Sequence, residues 1–187
     1  VSFQGQEHHS IAEFYPEGTL LFGGLSKDRS LGGYRVGVML LPKEETDLMR
    51  AMLSIGSEVW SCVSAPVQYA AVEAYKTTPE IIDFIKDCTS IHEIVSKYVH
   101  GKLTEAGINC PEPEGAFYLF PDWNIYREEL TQKGITTSNE LSQALLREQK
   151  VASLPGSEFG MGEENLCIRI ALVDYDGEVA LQHYRQN

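Results

Sequence analysis

A chain of 187 residues with a formal net charge of -12 and a sequence pI of about 4.8 argues against partners that need a basic patch, namely nucleic-acid phosphates and an anionic membrane surface. Its composition, 43% hydrophobic and 22% charged, suits a globular protein able to bury roughly 70% of its unfolded surface. No apolar run approaches the ~18 residues of a membrane span. No signal peptide is visible, and a cytoplasmic setting is the expectation. The chain opens on Val1 without a methionine, and a missing upstream segment is expected.

Val1 to Gly18 is polar and reads as loop or short helix, with Glu7, Glu13 and Glu17 solvated. His8-His9 lacks the i, i+4 spacing of a metal pair. Thr19 to Gly23 is a short apolar run before a glycine pair and predicts a buried strand. Lys27 to Gly33 predicts a loop, and Tyr34 to Leu41, bounded by Pro42, a second buried strand. Helices are expected over Lys43 to Met52 and Val63 to Tyr75. The clearest helix starts at Thr78, a candidate N-cap, with Pro79 in the first turn. Its stripe runs through Ile81, Ile85, Cys88, Val95 and Val99, widened by Phe84, Ile91, Ile94 and Tyr98, and it ends before Gly107. His92 and His100 lie on it, expected at the surface or an interface.

Ala116 to Phe120 predicts an aromatic strand. Thr137 and Glu140 have capping-box spacing ahead of a helix from Leu141 to Leu146. Val151 to Leu154 and Leu166 to Val173 predict strands, and a last helix follows Asp176. Strand and helix alternate, so the class is α/β. Of the four cysteines, Cys62, Cys88 and Cys167 have apolar neighbours and read as buried thiols. Cys110 completes the set. None has CxxC or zinc-ligand spacing, and two disulfides remain the alternative to a reducing compartment.

Two places carry chemistry. In Gly23 to Gly37, Lys27 follows a strand and lies between glycine pairs that permit close approach of a ligand. Eight residues on, Arg35 meets the next apolar strand, where a partly desolvated guanidinium calls for an anion and phosphate suits its planar fork. A lysine that forms a Schiff base must be a free amine, which nearby positive charge or burial promotes. Neither GxxxxGK[ST] nor GxGxxG occurs. A solvated lysine and an ion-paired arginine are the plainer reading of these residues taken singly. The second place is Arg169, which interrupts the run Leu166 to Val173. Strand alternation puts it on a face with the small residues Cys167 and Ala171, leaving room for a ligand. A purely internal ion pair is the alternative.

Ser26-Lys27, Ser30, Gly33, Arg35 and Gly37 together resemble the attachment-site pattern S-K-x-x-S-x-x-G-x-R-x-G of the class I/II aminotransferases. Glu114 to Phe120, Leu154 to Gly160 and Asn165 to Ala171 resemble three later segments of that family. The resemblance implies the pyridoxal 5'-phosphate (PLP) fold of those enzymes. Residues 1–78 would be the C-terminal remainder of the large domain, with a mixed, mainly parallel sheet and helices. Residues 79–187 would be a linking helix and a small α/β domain. It implies a Schiff base on Lys27, cofactor phosphate on Arg35, with Ser26 or other groups in support, and the substrate carboxylate on Arg169. The family's usual serine or threonine three residues before the lysine is Gly24 here.

The implied activity is amino transfer between an α-amino acid and a 2-oxo acid, by a homodimer when intact. The same fold with a β-lyase, decarboxylase or synthase reaction is the alternative. So is an inactive fragment, because half the cofactor cradle would lie upstream of Val1.

Overall fold

The computed structural model describes residues 2–3 and 7–186. The chain divides into two compact units, Gln6–Cys88 and Thr89–Asn187 with Val1–Gly5. The division falls inside a helix that begins at Pro79. Among the described residues no helix is long and apolar enough to cross a membrane.

In the first unit, two 3₁₀ turns, Ile11–Glu13 and Pro16–Gly18, lead to strand β1 (Leu21–Gly24). It pairs antiparallel with β2 (Gly37–Leu40), in a register from Leu21 opposite Leu40 to Gly24 opposite Gly37. The expected strands form, shortened, but they are not buried: Phe22 is 71% and Leu40 60% exposed. Two strands alone cannot bury an apolar face. Helix α1 (Thr46–Val59) runs beyond the stretch expected for it. Helix α2 (Ala65–Ala74) starts with Pro66 in its first turn, where a missing N–H costs little.

Helix α3 (Pro79–Glu105) has the expected ends. The Thr78 carbonyl accepts the Ile82 N–H at 3.0 Å, and Gly107 takes the left-handed conformation just past the helix. Its buried stripe is narrower than expected. Ile91 is buried, and Val95 and Val99 pack on the cluster of Cys110, Leu119 and Leu172. Ile94 and Tyr98 are exposed instead.

The second unit is built on a three-stranded antiparallel sheet in the order β3 (Tyr118–Leu119), β5 (Ile168–Ala171), β4 (Leu154–Pro155). Strand β4 begins later than the expected Val151, whose N–H still bonds the Leu145 carbonyl of the preceding helical turn. Helix α4 (Arg127–Gln132), for which no signal was read in the sequence, precedes α5 (Ser138–Ala144). The predicted capping box closes α5: the Thr137 hydroxyl accepts from Glu140 N, and Glu140 reaches back to Thr137 N. A π-helical turn, Leu145–Gln149, extends it to Lys150. Leu141, Leu166 and Ile168 form a second core cluster, against which Trp123 and Ile170 pack. Helix α6 (Gly177–Gln186) starts under an Asp176 cap, whose carboxylate accepts Val179 N at 3.0 Å.

No disulfide links the four cysteines. Cys110 and Cys167 are buried, and burial raises the pKa of both thiols. Cys62, expected inside, is exposed because it lies in the open connection between α1 and α2.

Candidate active site

The loop between β1 and β2 is held at its base by Leu25. Its side chain is 1% exposed, and its carbonyl accepts the Leu31 N–H at 2.9 Å. That bond closes a compact turn around Ser26 and Lys27. Ser26 is half-buried and Lys27 exposed. Ser30 donates its N–H to the Lys27 carbonyl at 3.2 Å and sits at a positive φ of 53°.

Arg29, which sequence reasoning missed, ties the loop to α2. Its Nε donates to the Ala74 carbonyl at 2.6 Å, its guanidinium lies 5.6 Å from the Tyr75 ring centroid, and it pairs with Asp28. A cation at the carbonyl end of a helix is favourably placed. The signal available in the sequence was an arginine two residues from the lysine, but its partner lies 45 residues away.

Arg35 is exposed, not partly desolvated as expected, because it precedes β2 instead of lying in it. It adopts a left-handed φ of 53° and donates Nη1 to the Gly32 carbonyl at 3.0 Å. Among the described residues it makes no ion pair. At Gly24 an added Cβ would lie 3.5 Å from the Val36 carbonyl oxygen and 3.9 Å from the Gly37 Cα, which is ordinary contact. Packing therefore does not demand the glycine there.

Arg169 belongs to the other unit. The alternation read from sequence holds: Leu166, Ile168 and Leu172 are buried on one side, and Arg169 is half-buried on the other with Ala171 exposed. Cys167, on the Arg169 side, is also buried. Among the described residues Arg169 makes no ion pair. Its guanidinium carbon lies 4.3 Å from the Tyr118 ring centroid and 4.6 Å from that of Phe159.

The helix histidines are engaged, not merely superficial. His92 Nδ1 is 3.0 Å from the Tyr175 hydroxyl, and burial holds its pKa below the ordinary value. His100 Nε2 is 3.0 Å from the Cys110 carbonyl. Among the described residues no group of His, Cys, Asp and Glu has the arrangement of a metal site.

A family model described as aminotransferase class I and II matches residues 2–178. The chain belongs to the class I and II aminotransferase family. An aspartate aminotransferase of Geobacillus stearothermophilus is 37% identical over 164 residues, which cover 86% of this chain and 39% of that protein. One from Bacillus subtilis is 34% identical over 167 residues, covering 87% and 40% respectively. The crystal structure of an aromatic aminotransferase from Pyrococcus horikoshii superposes with a TM-score of 0.77 at 26% identity, over 99% of this chain and 46% of that one. The chain thus spans about two fifths of the length of the curated relatives it matches. The α/β architecture is that of these aminotransferases.

Proposed function

We propose that this chain carries part of the active site of a PLP-dependent aminotransferase, one that moves an amino group between an α-amino acid and a 2-oxo acid. The observation that carries the reading is the Lys27 loop. Its sequence matches the attachment pattern, its turn is closed by the Leu31–Leu25 bond and it is anchored to α2 through Arg29. On this reading residues 1–78 end a cofactor-binding domain and 79–187 form the linking helix and small domain. By family resemblance, the intact protein would be a homodimer of cytoplasmic amino-acid metabolism.

The donor set fits PLP. An exposed primary amine at Lys27 can condense with an aldehyde, and the Ser26 hydroxyl and the exposed Arg35 guanidinium can serve a phosphate dianion. Bound PLP would supply the electron sink that lets a bond at the amino acid Cα break. Lys27 Nζ would hold the cofactor and, once displaced by the incoming amino group, would be the free amine that moves the proton from Cα. Arg35 and Ser26 would hold the phosphate end. Arg169 presents its N–H edge to the substrate carboxylate and so sets the orientation of the amino acid.

The test is borohydride reduction in the presence of PLP, followed by peptide mass mapping. The pyridoxyl label is expected on Lys27, and Lys27→Ala should abolish it. A label confined to another lysine would refute the assignment.

A further inference from the structure

Arg169 has an unusual set of neighbours for a half-buried cation. A guanidinium removed from water ordinarily finds a carboxylate, yet among the described residues this one has two aromatic rings in its place, at 4.3 and 4.6 Å. Ring faces attract the charge and hold the group in position. They do not take up the in-plane N–H donors, which stay available to a planar, bidentate acceptor.

Each neighbour of the central strand delivers one ring. Tyr118 lies on β3, directly opposite Ala171 of β5. Phe159 lies in the turn after β4, the strand on the other side of β5. That turn is tied down. Gly156 N–H donates to the Cys167 carbonyl at 2.8 Å, and the approach is so close that a Cβ at Gly156 would come within 2.9 Å of the same oxygen. Phe159 is also braced edge-on by Phe120, at a centroid distance of 5.8 Å.

We infer that Tyr118 and Phe159 are positioning residues that hold the Arg169 guanidinium ready for a carboxylate in place of a fixed counter-ion. The inference rests on the reading of Arg169 as a carboxylate site. An aromatic cradle reconciles two demands on such a residue. The arginine is ordered in advance, which lowers the cost of binding, and among the described residues no anion is paired with it to compete with the ligand.

The experiment labels the arginines of the chain with nitrogen-15 and follows the Arg169 Nε–H resonance, identified by its loss in Arg169→Lys. Maleate, a dicarboxylate without an amino group, is the probe. Tyr118→Leu and Phe159→Leu should each remove ring-current shift from that resonance and weaken maleate binding roughly three- to tenfold. Tyr118→Phe keeps the ring and should preserve both readouts. Phe159 is 42% exposed and outside the strand pairs, so Phe159→Leu keeps the test decisive if Tyr118→Leu unfolds. If the ring-deleted variants bind maleate as the parent does while Arg169→Lys loses it, the cradle is overturned and the carboxylate reading stands. If Arg169→Lys binds maleate like the parent, the carboxylate reading fails and the cradle with it.

Discussion

At the scale of single residues, two glycines of the family-like motifs have opposite physical standing. Gly24 is not demanded by packing, since a side chain there would meet only ordinary contacts. Gly156 is demanded. A Cβ would press on the Cys167 carbonyl oxygen at 2.9 Å and on its Cβ at 3.1 Å, and both belong to a chain segment fixed by sheet pairing. Gly156→Ala should therefore destabilise the chain by about 1–3 kcal/mol, the usual cost of overpacking. A urea titration should show a lower midpoint with an unchanged slope. An unchanged midpoint would mean that the turn and β5 do not approach this closely. Arg169 gives the complementary lesson about reading residues from sequence. Its face and its lack of bulky strand neighbours followed from period-2 alternation. The rings that hold it come from residues 51 positions before and 10 positions before, and no local pattern reports such a contact.

At the scale of elements, what was legible followed from local chemistry. Thr137 and Glu140 fixed the start of α5 because a capping box is written in four consecutive residues. Thr78-Pro79 and Gly107 fixed both ends of α3 for the same reason. What was not legible depended on cover. Phe22 and Leu40 read as core, yet among the described residues nothing buries them. Ile94 and Tyr98 extended the α3 stripe in sequence but face outward. His92, on that helix, has an unfavourable burial that can be tested. Desolvation lowers its folded pKa from the ordinary 6.5, while Tyr175 bonds its Nδ1 and the Phe117 ring lies 5.4 Å away. The unfolded state then binds the proton more readily. Stability is complete above the unfolded pKa and declines as pH falls toward the folded one. His92→Gln should flatten the fall in thermal midpoint between neutral and mildly acidic pH, relative to the parent. Parallel pH profiles for the two proteins would contradict the buried, neutral imidazole.

At the scale of the molecule, charge and apolar surface oppose each other. Phe14, Phe22, Leu40, Leu53, Trp60 and Tyr69, all in the Gln6–Cys88 unit, are 59–77% exposed. Among the described residues no third strand joins the two-stranded β1–β2 ribbon, and such open edges template pairing with other chains. Against this stands a net charge of -12, which keeps copies apart by repulsion. Apolar attraction is insensitive to moderate salt, whereas repulsion between exposed charges fades as the Debye length shrinks from about 30 Å at 0.01 M to about 8 Å at 0.15 M. The isolated chain should therefore bind a hydrophobic dye at all ionic strengths. In sedimentation it should run near its 20.9 kDa monomer mass at low salt and shift to heavier species as salt rises. Replacing Phe22 and Leu40 by threonine, which keeps strand propensity while removing apolar area, should reduce both the dye signal and the salt-induced association. If the chain stays monomeric across this range and binds no dye, the apolar side chains of this unit are covered in solution and the exposed β1–β2 ribbon is not its resting state.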